Sequence, residues 1–210
     1  SVKAVNKDTV IIGEVWENAA DKIAYGYRRR YFQDGQLDSV MNYPFKDSMI
    51  DFIKGYINAP QFEKRIMKIA ENYPKEVLYS LMNMAGTHDT ARIKTVLGTN
   101  VDPTYMSDED KWNYSLQGDE ERLATERLML MVFMQMTFVG VPSIYYGDEA
   151  GMEGFRDPYN RKPFPWRNIN EELLSYHKEL IKLRNENDFL KRGTFEPLYA
   201  KDKVFVYLRE

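Results

Sequence analysis

Cysteine is missing from this chain, which excludes disulfides, thiolate metal sites and a cysteine nucleophile, and fits the cytosol and the outside of a bacterium equally well. Histidine is almost as scarce: His88 and His177 are the only two, far from any paired metal-ligand spacing. Excess charge is missing too. With 29 Lys+Arg against 32 Asp+Glu the formal charge is -3, so electrostatics give no reason to expect a nucleic-acid or membrane-surface partner. The most apolar stretch, residues 128–146, is broken by Gln135, Thr137, Gly140, Pro142 and Ser143 and falls short of the ~20 residues a spanning helix needs. Residues 1–6 lack the basic, apolar, small-residue order of a signal peptide, so no export signal is expected in the chain as given. A glycine-rich phosphate loop, a serine nucleophile elbow and a basic aromatic stripe for RNA are absent as well.

What is present is a globular composition. Hydrophobic residues make up 43% and aromatics 14% of 210 residues, enough for a core and enough length for one large domain or one domain plus a piece of another. Residues 10–13 (VIIG) read as a buried strand that ends in polar Glu14. Residues 21–32 read as a short helix or an irregular excursion, and residues 37–43 as a second strand stopped by Pro44. Met49, Ile50, Ile53, Tyr56 and Ile57 form one helical stripe; beyond Pro60, Phe62, Ile66, Ile69, Ala70 and Tyr73 form another. Residues 77–84 are a third strand candidate running into Gly86, Thr87, His88, Asp89 and Thr90.

Residues 98–118 read as a long loop with short helical turns, and residues 120–138 as a helix apolar on nearly every side and therefore buried. A fourth strand over residues 140–146 gives way to Gly147, Asp148, Glu149, Ala150 and Gly151. An amphipathic helix over residues 171–187, capped by Asn168 or Asn170, precedes an antiparallel β module that opens at residues 204–208. Four strands, each followed by polar residues, point to parallel α/β architecture with its site at the carboxyl ends of the strands: a small open sheet, or half of a larger barrel.

Glu14, at a strand end beside Trp16, is placed where desolvation would suit a carboxyl to general-acid work; a plain strand-end carboxylate is the bland alternative. Strand alternation puts Glu17 on the opposite face, so Glu14 is preferred. His88 with Asp89 could hold a polyol or merely orient each other. Asp157 and Arg161 could hold sugar hydroxyls or pair with each other. Asp148 and Glu149 are equally ambiguous, and His177, on a helix's apolar stripe, reads as a packed histidine. Carboxylates with Trp and Tyr around a cleft are the equipment of glycoside chemistry.

Residues 10–16 (VIIGEVW), 37–45 (LDSVMNYPF), 86–92 (GTHDTAR) and 140–151 (GVPSIYYGDEAG) together resemble the second half of the catalytic barrel of the alpha-amylase family, glycoside hydrolase family 13, within its neopullulanase, cyclomaltodextrinase and maltogenic amylase group. The resemblance implies an α/β fold: strands five to eight of a (β/α)8 TIM barrel over residues 1–192, then the beginning of a C-terminal antiparallel β-sandwich domain over residues 193–210. It implies Glu14 as general acid/base and Asp89 as the carboxylate that grips sugar hydroxyls and stabilises the transition state. His88 becomes a second donor to the same sugar, Trp16 faces the leaving-group side, and Asp157 and Arg161 contact sugars farther along the non-reducing side.

Thr87 stands where the family usually has Asn or Ser. The family's nucleophilic Asp, its neighbouring Arg and an upstream His motif are not matched by any residue here, so the isolated chain is expected to be inactive. The parent protein is expected to cleave α-glucosidic bonds in maltodextrins, cyclodextrins or pullulan, with an α-glucan as partner and neither a metal nor another cofactor. Half a barrel is also expected to self-associate. The reading from a different class is a non-catalytic, barrel-derived carbohydrate-binding or scaffold module.

Overall fold

The computed structural model describes residues 2–33 and 36–210. A one-turn helix α1 (Val2–Val5) precedes strand β1 (Ile12–Gly13), and a small hairpin of β2 (Ile23–Ala24) and β3 (Tyr27–Arg28) precedes β4 (Ser39–Val40). Helices α2 (Tyr43–Ile53), α3 (Ala59–Asn72) and α4 (Lys75–Ser80) lead to β5 (Met82–Met84). Helices α5 (Ile93–Gly98), α6 (Asp108–Asn113) and α7 (Gly118–Thr137) lead to β6 (Val141–Ser143). Helices α8 (Glu171–Glu186) and α9 (Asp188–Arg192) lead to the antiparallel pair β7 (Phe195–Lys201) and β8 (Val204–Arg209).

Strands β1 and β4 pair in parallel, as do β5 and β6. A parallel bridge between Met41 and Met82, with the Asn42 N–H donating to the Met82 carbonyl at 2.9 Å, joins the two pairs. Four parallel strands therefore stand side by side in chain order, the sequence of neighbours that barrel-type α/β folds use. Polar side chains brace this sheet from inside: Asn42 Nδ2 donates to Asn83 Oδ1, Asn83 Nδ2 to the Val139 carbonyl, and Gln135 Nε2 to the carbonyls of Asn83 and Ser143. Each is buried, and each buried amide meets a partner.

The prolines start helices. Asn42 caps α2 with Pro44 in its first turn, so Tyr43 belongs to the helix and not to the preceding strand. Asn58 and Gln61 form a capping box around Pro60 at the head of α3. Residues 77–80, expected to be strand, are the end of α4, because Pro74 sets up a helical turn and the extended chain begins only after it. Helix α2 ends at Ile53, with Gly55 at φ +77 turning the chain, so Tyr56 leaves the apolar stripe and is exposed.

Two expected burials are corrected. Helix α7 buries Ala124, Leu128, Met131 and Val132 but exposes Leu123, Leu130 and Phe133, because the sheet and its neighbouring helices cover only one of its sides. Val10 and Ile12 of the first strand run are 64% and 48% exposed, since one edge of β1 has no strand beside it among the described residues. No helix of the described residues is long and apolar enough to cross a membrane.

The C-terminal hairpin is fastened to the helical layer. Phe205 packs edge-on against Phe62 of α3 (centroids 5.2 Å apart) and Phe195 against Phe138 (4.8 Å), while the Ala59 N–H donates to the Asp202 carbonyl at 2.8 Å. Arg184 and Arg209, both buried, donate to backbone carbonyls beneath the sheet. His177 is packed as expected: its Nδ1 lies 2.8 Å from the Leu173 carbonyl, and burial holds its pKa below the ordinary histidine value.

Candidate active site

The chemistry gathers where the strands end. Glu14 directly follows β1, Tyr43 follows β4 at the head of α2, and His88 and Asp89 follow β5. The Tyr43 hydroxyl donates to Glu14 Oε1 at 3.1 Å, and the Tyr43 ring lies flat against Trp16 with centroids 4.3 Å apart and planes 14° from parallel. Burial pushes the Tyr43 hydroxyl up to about 12, with the Glu14 carboxylate adding to the shift, so Tyr43 stays a neutral donor that orients Glu14. The expected burial of Glu14 beside Trp16 is not found: Glu14 is exposed, and the indole covers Tyr43 instead. Glu17 pairs with Lys22 in the bend after β1, which ends at Gly13, so strand alternation does not decide its direction.

Glu14, His88 and Asp89 each bring one ligand atom within 4.8 Å of the others. His88 Nε2 lies 3.2 Å from Asp89 Oδ2, and Arg161 Nη2 lies 3.3 Å from Asp89 Oδ1, so both carboxylate oxygens of Asp89 are held. Arg161 Nε is 2.8 Å from Asp157 Oδ1, which makes the guanidinium a bridge between Asp157 and Asp89. Of the six residues singled out from sequence, these contacts unite Glu14, His88, Asp89, Asp157 and Arg161, while Trp16 joins through Tyr43. The Glu14, His88 and Asp89 donor set could hold a divalent ion, with the positive charge of Arg161 opposing it. For a polyhydroxylated ligand the same set offers carboxylate acceptors and cationic donors on one surface.

Beneath this surface lie groups that the sequence reading passed over. Arg92 is fully buried with its guanidinium carbon 4.5 Å from the ring centroids of both Tyr145 and Tyr146, and its Nη1 sits 3.3 Å from Asp148 Oδ1. Its Nε and Nη2 have no hydrogen-bond partner among the described residues. Burial pushes the Asp148 carboxyl up to about 7 against the opposing pull of Arg92. Gly86 is needed beside it: a Cβ there would stand 2.4 Å from Asp148 Oδ2. Glu149, its ambiguous neighbour, caps the Gly147 N–H at 2.8 Å. Asn160 is likewise fully buried, with its amide against the carbonyls of the His88 loop. Tyr43 and Arg92 lie inside the stretches 37–45 and 86–92 that carry the family resemblance; Asn160 carries no sequence signal of its own.

Comparison with known proteins converges on one family. The family model for the alpha amylase catalytic domain matches residues 1–171. The chain is 37% identical over 220 residues to an amylopullulanase of Thermoanaerobacter thermohydrosulfuricus, covering 100% of this chain and 14% of that protein. It is 34% identical over 212 residues to a cyclomaltodextrinase of Thermoanaerobacter pseudethanolicus, covering 100% of this chain and 31% of that one. Among solved structures, the native debranching enzyme of Nostoc punctiforme superimposes with a TM-score of 0.79 at 30% identity, over 99% of this chain and 40% of that chain. The chain thus spans well under half the length of these relatives, and its four parallel strands are α/β-barrel architecture. With strand order, strand-end carboxylates and a catalytic-domain match over most of its length in agreement, the chain belongs to the alpha-amylase family.

Proposed function

We propose that this chain supplies half the active site of a retaining α-glucan hydrolase, with β1, β4, β5 and β6 as strands five to eight of the barrel within residues 1–192. Residues 193–210 then begin a C-terminal β-sandwich domain. The observation that carries the reading is the convergence of Glu14 from one strand end with His88 and Asp89 from another, all within 4.8 Å. Glu14, held by Tyr43, is the general acid/base. Asp89, its two oxygens engaged by His88 and Arg161, grips sugar hydroxyls and stabilises the transition state. Trp16 lines the leaving-group side, and Asp157 with Arg161 contacts more distant sugars. The relatives' names, amylopullulanase and cyclomaltodextrinase, favour α-glucosidic bonds in maltodextrin, pullulan or cyclodextrin as the substrate.

Retaining hydrolysis uses two carboxyl groups ~5 Å apart, one to attack the anomeric carbon and one to protonate the leaving oxygen. The nucleophile is assigned to a segment outside these 210 residues, because no residue here matches the family's nucleophilic Asp and Asp89 matches its hydroxyl-binding carboxylate. Reducing-sugar release tests both points. In the complete protein, Glu14→Gln is expected to cut turnover by about 10³-fold while oligosaccharide binding stays measurable; near-normal turnover rejects the assignment. The 210-residue chain alone is expected to fold and be inactive. Turnover by that chain, lost in Glu14→Gln, would mean that a second carboxylate acts within these 210 residues and would overturn the placement of the nucleophile.

The exposed Val10 and Ile12 at one edge of the sheet and Val141 at the other support self-association of the isolated chain. Light scattering is expected to show particles larger than the monomer, and a clean monomer would reject this.

A further inference from the structure

Asn160 sits in a short 3-10 turn, Tyr159–Arg161, and has no accessible surface. Its amide nitrogen lies 2.8 Å from the His88 carbonyl, 2.8 Å from the Thr90 carbonyl and 3.5 Å from the Thr87 carbonyl. Those carbonyls surround Asp89 on both sides, so one side-chain amide gathers the backbone of the whole turn that presents His88 and Asp89. The turn has little else to fix it. The Thr90 N–H reaches the Thr87 carbonyl at 3.4 Å, and the Thr87 and Asp89 N–H groups reach threonine hydroxyls at 3.2 Å. Inward-facing carbonyls without a donor are costly when buried, and an asparagine amide is a neutral donor that supplies two protons.

Arg161, the next residue, adds its Nε at 3.2 Å to the same His88 carbonyl while holding the Asp89 carboxylate. The Asn160 carbonyl oxygen, by contrast, is buried without a partner among the described residues. The site therefore uses Asn160 for its donor side and tolerates an unmet acceptor.

We propose that Asn160 is a positioning residue: by latching the 86–90 turn to the loop after β6, it fixes where His88 and Asp89 stand relative to Glu14. Its effect on turnover rests on the hydrolase reading above; its effect on the turn does not. The complete protein carrying Asn160→Ala or Asn160→Asp tests both. Hydrogen exchange of the peptide over residues 86–92 is expected to quicken by about tenfold in Asn160→Ala while α3 and α8 keep their protection. With maltodextrin, kcat is expected to fall by about 10- to 100-fold and KM to move much less, because the groups are misplaced and not removed.

Asn160→Asp keeps the shape but turns a carboxylate toward the carbonyls, with Arg161 as the cation and His88 and Asp89 as the titratable groups nearby. Protonation restores one donor, so its activity relative to the unsubstituted protein is expected to rise as pH falls. Unchanged exchange over residues 86–92, exchange raised uniformly through the barrel, or a pH-independent activity ratio each overturns the latch. Should Asn160→Ala fail to fold, the near-isosteric Asn160→Asp carries the exchange test. Absence of turnover in the unsubstituted protein rejects the hydrolase reading and leaves exchange to decide the latch.

Discussion

Buried arginines at the two ends of the sheet are treated in opposite ways. At the base, Arg209 donates to the carbonyls of Thr194, Thr137, Phe189 and Gly193, and Arg184 to those of Met136, Phe138 and Gly140. Neither meets a carboxylate among the described residues; their charges are answered by carbonyl dipoles, including those at the C-terminus of α7. Burial and the nearby Arg209 pull Arg184 down to about 10, still far above neutrality. At the site end, Arg92 has one carboxylate, the Tyr146 carbonyl and two tyrosine rings, while two of its nitrogens, Nε and Nη2, stay unmet. The base is a closed hydrogen-bonded assembly whose work is to hold helix ends and hairpin together. The site end leaves polar capacity unsatisfied beside the turn that carries His88 and Asp89, a pattern that accompanies function more often than stability.

The contrast can be broken at either end. Arg209→Met strips a donor from four carbonyls, that of Thr137 buried and the others half-buried, and is expected to cost about 4 kcal/mol in urea unfolding. A cost below about 1 kcal/mol would show that the base is not the fixed end. Arg92→Met leaves Asp148 buried without its cation. At about pH 8 it is expected to cost about 3 kcal/mol, with the double variant Arg92→Met/Asp148→Asn recovering part of the loss. Additive single effects would mean that the two residues do not act as a pair.

The last effect is the pH dependence of Asp148 itself. Its folded-state value is raised from 3.8 to about 7, so the folded protein binds this proton more tightly than the unfolded chain does. That contribution is fully present below about pH 4 and is lost as pH rises through about 7. Thermal melts across this range are expected to show the unsubstituted protein losing stability relative to Asp148→Asn. A constant difference between the two would mean that Asp148 does not titrate there.

Much of this architecture could be read from the residues, and the misses share a cause. Helices α3 and α8 were legible because their apolar residues recur at helical spacing, with Pro60 before the first and Asn170 among the caps offered for the second. The parallel order was legible because polar residues gather after each apolar run. Val77 and Leu78 misled because an aliphatic run of that length fits a strand as well as a helix, and Pro74 decides between them only when its turn is in place. Glu14, His88 and Asp89 stood out as strand-end chemistry, but the exposure of Glu14 did not, since it depends on Trp16 choosing the ring of Tyr43. Asn160 lies some seventy residues along the chain from the carbonyls it serves. No local pattern marks such a residue; its role exists only once two loops meet.

The bond from Ala59 to Asp202, and the contact of Phe62 with Phe205, also set a timetable for synthesis. Helix α3 leaves the ribosome long before the hairpin that covers Phe62, and at about 5–20 residues per second the wait is on the order of ten seconds. Throughout it, a ring that ends with no exposed surface lacks the hairpin ring that covers it. Nascent α3 therefore leaves the ring of Phe62 open to a chaperone until β8 is made and covers it.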